Sequence, residues 1–516
     1  MDQPASTSDD HARWDPAPLE ESLGEDASVL TVSVVDRAMR GWWDTMARVV
    51  GVPGRRWAHH LPHASGPIVA RIEGRPMFDT AAWARFVSLM PGAVALPGRT
   101  ADMFGVARAD VRPPAREPAR LLDLWRARRM RHRLRRGECT LDADLARFDA
   151  WLDRAVEAAL APGEDGTKCA ELPLYALAAR LDSMADTSVG WEASALVELA
   201  NAEAQAWALR GLIASGLPPG AALLELARLT SGGGAALPGH VEALETIARG
   251  AATDAPGAID AWMEVYGWAS MSELRLEEPP FRARRDAVER WCERLREVPS
   301  ARPPMTAPEL PAGPPDLVDA LRRARSLGAR REHIARERAR AHAALRACAW
   351  TLGERLTSDG VLENVASVFD LSLPELLALA RGGAPDPRTL PVAPHAQRPV
   401  PAASCAHGSV PVQSVGIPAS TGVASGPTVV LEQPDPDTDV DGAVLVCRAT
   451  DPGWLPLMMR ASAIVTERGG PLAHAAIVAR ELGIPAVVGV AQARELARQH
   501  GYATVDGAAG TVDFGT

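Results

Sequence analysis

The 516 residues are 47% apolar, enough for true cores, and carry a formal charge of −10, which argues against a general nucleic-acid binder. Lys168 is the only lysine, so no Gly-x-x-x-x-Gly-Lys phosphate loop exists and a nucleotide site built on two lysines is excluded. Six scattered cysteines without a Cys-x-x-Cys pair, no leader-like start and no run of about 18 apolar residues predict a reduced, cytoplasmic chain that does not enter a membrane.

The length predicts about two to four domains. Residues 1–26 are polar, Pro-dotted and acidic (Asp9-Asp10, Glu20-Glu21, Glu25-Asp26) and read as a disordered arm. Residues 27–381 read as one mainly helical domain. It opens with an amphipathic helix over Thr31–Val50. A hairpin follows over Ile68–Asp79, with Glu73-Gly74 at its turn. His59, His60 and His63 invite a metal reading, but Pro62 breaks the two-turn helix that would align ligands, so they read as a polar loop and no metal site is expected.

Helices are expected at Leu121–Arg136, Asp142–Ala161, Leu174–Met184, Glu192–Ala214, Ala221–Thr230 and Val241–Arg249. A long helix or helix pair is expected over Pro315–Leu356. The arginine run at 126–136 reads as a solvated helix face, with a phosphate or acidic-partner patch as the other reading. Ser372 can cap a helix that begins at Pro374. Residues 382–411 hold six prolines between Pro385 and Pro401 and read as a semi-extended linker.

Residues 412–516 read as a separate β/α domain of about 100 residues, a common domain size. Strands are expected at Thr428–Leu431, Ala443–Cys447, Ala463–Thr466, Ala486–Val490 and Thr504–Val505, with a closing hairpin through Asp506-Gly507 and Gly510–Asp513. Between two of these strands lies the stretch on which the function turns. Ala463–Thr466 is a short β-branched strand; Gly469-Gly470 is a turn. Pro471 suits a first helical turn, Leu472–Leu482 is a helical run, and Gly483 with Pro485 ends it. His474 therefore falls in the first turn, where free N–H groups and the helix dipole favour an attached anion.

The pattern Gly469-Gly470-x-x-x-His474-x-Ala476-Ile477-Val478-Ala479-Arg480-Glu481-x-Gly483-Ile484-Pro485-Ala486-Val487 resembles the phosphohistidine (swivelling) domain of the PEP-utilising enzymes. The resemblance implies that His474 is phosphorylated, with Gly469, Gly470, Arg468 and Arg480 as candidates for stabilising the phosphate. The family usually has Ser, Thr or Cys directly before the His; here it is Ala473.

Weaker echoes run through the helical part. Gly74-Arg75-Pro76-Met77-Phe78-Asp79 partly resembles a linker-domain hairpin of these enzymes, and Val365–Leu376 is similar to the end of that domain. Gly267 and Glu273 match a Gly-His-Arg-Gly-x-x-Glu segment of rifampin phosphotransferase-like chains, with Trp268 and Ala269 at the His and Arg positions. By resemblance Glu273 and Trp268 lie near an acceptor pocket.

An ATP-grasp domain or a PEP-binding barrel needs about 200 residues of α/β pattern. None appears here. The expectation is one subunit of a split phosphotransferase that binds no cofactor itself and resembles phenylphosphate synthase in organisation. A separate ATP-grasp protein, holding ATP (or PEP) and Mg, would charge His474, and the helical domain would bind a small organic acceptor. The alternative is a non-catalytic binding or regulatory subunit in which His474 is vestigial.

Overall fold

The computed structural model describes residues 26–50, 67–82, 134–160, 172–230, 255–297, 309–383 and 412–515, apart from short gaps within these ranges, together with 14–15, 23, 128, 132 and parts of 243–248. The chain divides into two compact units: Met1–Ala200 with Leu274–Glu277 and Glu337–His395, and Asn201–Glu273 with Glu278–Arg336 and Ala396–Thr516. The histidines at 59–63, most of the arginine run, Glu273 and the proline-rich stretch 384–411 lie outside the described residues.

The first unit is built on α1 (Val29–Val50), which starts two residues before the predicted helix. Strand β1 (Trp14–Asp15) pairs antiparallel with β3 (Arg75–Asp79), and β3 pairs with β2 (Val69–Ile72). Glu73 (φ 51°) and Gly74 (φ 83°) make the tight turn predicted there; both central residues of such a hairpin turn need positive φ. Asp36 of α1 holds the hairpin down, accepting from the backbone N–H groups of Ile68 (2.7 Å) and Val69 (2.9 Å). The acidic stretch 1–26 contributes more to this unit than an arm: β1 extends the sheet, Leu23 is fully buried, and Asp26 pairs with Arg275.

Helices α2 (Leu141–Leu160) and α3 (Leu174–Ala185) follow the predicted periodicity. Next come α4 (Ser188–Ala214), α5 (Pro219–Thr230), α6 (Ala255–Tyr266), α7 (Arg285–Glu297) and α8 (Pro315–Ser358), the last a single helix of 44 residues. Helix α9 (Leu373–Ala380) begins as expected at Ser372, which with Glu375 forms a reciprocal capping box. The core of the first unit joins Leu30, Leu152, Leu181, Leu345, Leu352 and Leu376.

A buried ionic network fixes 274–277 in that unit. Arg275 pairs with Asp26 and Glu277, while Glu277 accepts from the Thr31 hydroxyl (2.6 Å) and the Ser28 hydroxyl (2.8 Å). Arg346 of α8 donates to the carbonyls of Arg275 (2.7 Å) and Leu276 (3.1 Å). Burial alone would raise the Glu277 pKa; the Arg275 charge and the two hydroxyls outweigh it and hold the carboxyl below its ordinary range.

The second unit contains the C-terminal β/α domain. Its strands are β4 (Val412–Val415), β5 (Ile417–Ser420), β6 (Val423–Leu431), β7 (Val444–Cys447), β8 (Ala463–Thr466), β9 (Ala486–Val488), β10 (Tyr502–Asp506) and β11 (Thr511–Phe514). They form one sheet in the order β4-β11-β10-β6-β7-β8-β9-β5. Strands β6 to β9 run parallel, and the outer pairs are antiparallel. Strands β7, β8 and β9 are buried at every residue, as parallel strands covered on both faces must be. Short β5 squeezes past β9. A Cβ on Gly416 would sit 2.7 Å from the Val488 carbonyl, so only glycine fits.

Helix α10 (Leu455–Met458) and helix α11 (His474–Leu482) contribute to a core on one face, and α12 (Ala493–His500) to the core on the other. The α11-side core is continuous with the aromatic cluster Trp262, Phe281 and Trp291 of the same unit, whose rings lie 5.5–5.6 Å apart in tilted or edge arrangements. Among the described residues, no helix is long and apolar enough to cross a membrane.

Candidate functional site

The loop carrying the predicted site leaves the carboxyl end of β8, where parallel sheets present their ligand-binding groups. It lies among the loops that follow its neighbours. The Arg468 N–H donates to the carbonyl of Arg448, just past β7 (2.8 Å), and the Val490 N–H, past β9, donates to the Thr466 carbonyl (3.0 Å). The Thr466 hydroxyl donates to the Arg468 carbonyl at 2.6 Å, closing the turn from inside.

Gly469 takes φ 112°, a conformation that side-chain-bearing residues resist. Gly470 accepts from the Ala473 N–H at 3.0 Å, and the chain then enters α11. The helix begins at His474, two residues later than the predicted run; Pro471 and Leu472 lie outside the described residues. Its first regular bond is from the Ile477 N–H to the Ala473 carbonyl. Helices leave their leading N–H groups without intrahelical acceptors, and Ala473 at the cap has no side-chain oxygen to offer them. His474 is the first residue of the helix's first turn. Gly483 ends the helix in the left-handed region (φ 65°), as predicted.

The other predicted site residues separate. Arg468 and both glycines belong to the loop. Arg480 is six residues along α11 from His474, roughly 9 Å along the axis and 240° around it. Its Nη1 donates to the Ala419 carbonyl of β5 at 2.8 Å, so it straps the helix to the sheet edge. Trp268 is half-buried against the aromatic core and donates its indole N–H to the Val265 carbonyl at 2.6 Å.

Three residues here escaped the sequence reading. Glu467 accepts from the Arg494 N–H (3.0 Å) and Nε (2.9 Å), tying the site loop to the start of α12. Arg448 stands on the neighbouring loop. Thr450 is buried with its hydroxyl lacking a partner among the described residues. Among the described residues no cluster could hold a metal ion, so the expectation of no metal is left as it stood.

Residues 439–510 match the family described as PEP-utilising enzyme, mobile domain. That match lies within the C-terminal domain and covers less than half of the chain. The chain is 53% identical over 102 residues to a phosphoenolpyruvate synthase of Aeropyrum pernix, covering 19% of this chain and 12% of that one. It is 46% identical over 98 residues to an uncharacterized phosphotransferase, YvkC, of Bacillus subtilis, covering 19% and 12%. It is 43% identical over 100 residues to a rifampicin phosphotransferase of Bacillus cereus, covering 19% and 11%. The likeness thus spans about an eighth of these relatives' length and about a fifth of this chain.

The first unit holds a second concavity, a cleft of about 800 Å³ between α1, the β2–β3 hairpin and the start of α9. Its floor is apolar, with Val29, Val32 and Leu373 among the lining, and arginines 37, 40 and 71 also line it.

Proposed function

We propose that this chain is a phosphotransferase component in which His474 carries a phosphoryl group from a donor to a small organic acceptor. One observation supports this above the rest: a histidine opens a helix at the carboxyl end of a parallel strand, within the residues that match the mobile-domain family. In the first step a ring nitrogen of His474 attacks a phosphorus of the donor. The N–P bond forms, the P–O bond to the leaving group breaks, and the imidazole sheds its other proton. In the second, an acceptor hydroxyl or carboxylate oxygen attacks, the N–P bond breaks, and the departing imidazole takes back a proton, from the hydroxyl acceptor or, for a carboxylate, from solvent. Covalent catalysis divides one hard transfer into two easier ones.

The chain's own contribution is placement and charge. Helix-start N–H groups and Arg468 stabilise the phosphoryl oxygens, while Gly469 and Gly470 let the backbone come close. Arg480 acts through the position of α11. The donor is an ATP-grasp protein on another polypeptide, working with ATP, or PEP, and Mg. The single lysine of these 516 residues supports a donor site built elsewhere. The helical residues bind the acceptor, and the proline-rich stretch 384–411 lets the mobile domain travel.

The test is phosphorylation of the purified chain by such a donor, followed by peptide mass mapping under alkaline conditions that preserve phosphohistidine. The modification is expected on the peptide containing His474; modification only elsewhere contradicts the proposal. The reading as a vestigial binding subunit draws on Ala473, Trp268 and Ala269; against it, the described loop bonds at Thr466, Arg468 and Gly470 form without those side chains.

A further inference from the structure

We infer that the cleft of the first unit binds a small organic anion: an apolar body on the cleft floor, with its carboxylate, sulfonate or phosphate group held by Arg71 and Arg40. The volume, about 800 Å³, is that of small-molecule sites, and such sites combine an apolar lining with a few placed polar groups. Three guanidinium groups and one carboxylate, Asp36, line this one, in a chain whose net charge is −10. That carboxylate is fully engaged by the Ile68 and Val69 N–H groups and by Arg40.

The cations are not engaged to the same degree. Arg71 donates its Nε to the Gly74 carbonyl at 3.0 Å, which fixes the plane of its guanidinium; its charge also acts on the exposed Asp370 carboxylate, but no hydrogen bond among the described residues uses its terminal nitrogens. Arg40 uses Nε and Nη2 on Asp36 and keeps Nη1. Arg37 gives Nη1 to Asp182, a carboxylate outside the lining that also holds Arg381. The forked guanidinium matches a planar carboxylate or a phosphate face, and Arg71 and Arg40 both keep terminal nitrogens to offer one.

The probe is 8-anilino-1-naphthalenesulfonate, an apolar body with one anionic group. Its uncharged relative, N-phenyl-1-naphthylamine, is the control. Both are titrated by fluorescence into the full chain with no phosphoryl donor, so the outcome does not depend on the role of His474. The sulfonate is expected to saturate one site per chain. Arg71→Gln and Arg40→Gln should each weaken it about tenfold, Arg71→Lys should weaken it less, and the neutral probe should change less than twofold. Ala70→Phe, which fills the cleft from β2, should abolish both. Each variant is first shown to unfold cooperatively near the wild-type temperature. Absence of a saturable site overturns the inference; so does equal loss of both probes in Arg71→Gln, or undiminished sulfonate binding in a folded Ala70→Phe.

Discussion

Arg494 grips Glu467 twice, with its backbone N–H at 3.0 Å and its Nε at 2.9 Å, across 27 residues of sequence. Both side chains are 16% exposed, so the pair is only partly screened by solvent. Glu467 is the residue directly before Arg468-Gly469-Gly470, and Arg494 lies in the first turn of the helix that covers the other face of the sheet. The pair therefore sets where the site loop leaves the sheet.

Glu467→Ala is expected to cost about 1–2 kcal/mol of the C-terminal domain's stability, the worth of charge-assisted hydrogen bonds. It should also slow phosphorylation of His474 by roughly tenfold or more, since misplacement of a nucleophile by an ångström is costly. Thermal unfolding and initial labelling rates of the full chain measure the two effects. A labelling rate equal to wild type would show that the loop holds its place without this pair.

Ala473→Ser supplies the missing cap. The serine oxygen can accept from an N–H of the first turn of α11, and a good N-cap is worth about 1 kcal/mol over alanine. The variant should melt at a higher temperature than the wild type. Its labelling rate should match or exceed the wild-type rate. A lower melting temperature would contradict the cap geometry.

His342, on α8 in the first unit, is buried, with Nδ1 on the Arg338 carbonyl (3.0 Å) and Nε2 without a partner among the described residues. Burial, opposed by the backbone bond to Arg338 and reinforced by the charges of Arg338 and Arg346, pushes its pKa down to about 4. The folded state therefore refuses a proton that the unfolded chain takes up from pH ~6.5 downward. Stability falls as pH drops from 6.5 to 4, by up to about 3 kcal/mol. His342→Met should flatten the fall of melting temperature between pH 6.5 and 4.5; an unchanged slope would place the titrating group elsewhere.

Glu277 has the opposite sense. Its folded pKa is depressed, so the stability it contributes is present above its unfolded value near 4.3 and is lost as pH falls through the folded value. Glu277→Ala leaves buried Arg275 with only the exposed Asp26 and should cost roughly 3 kcal/mol or more at pH 7. Glu277→Gln, which can still accept from Ser28 and Thr31, should cost less. Denaturant unfolding at pH 7 gives the order, and equal stability of the two variants would contradict it.

Local chemistry was legible in the sequence. The strand, glycine turn and helix around His474 stand where β-branching, the paired glycines and Gly483 put them. The hairpin turn at Glu73-Gly74 and the cap at Ser372 follow from their own residues. Strands β4 and β5 were less visible, because Ser414, Gly416, Pro418 and Ser420 interrupt any β-branched alternation, and pairing with β11 and β9 defines them. The supports of both sites were hidden for another reason. Asp36 meets the hairpin 32 residues on, Ser28 meets Glu277 across 249, and Arg494 meets Glu467 across 27. No periodicity records such pairings; only the packed chain makes them.

The most direct measurement is acid-labile label on the chain from [γ-³²P]ATP, [β-³²P]ATP or [³²P]PEP in the presence of an ATP-grasp donor, compared between wild type and a folded His474→Ala variant. The account predicts label on the wild type, stable in alkali, and none on the variant. Label of equal extent on His474→Ala, or a wild type that no such donor charges, would contradict it.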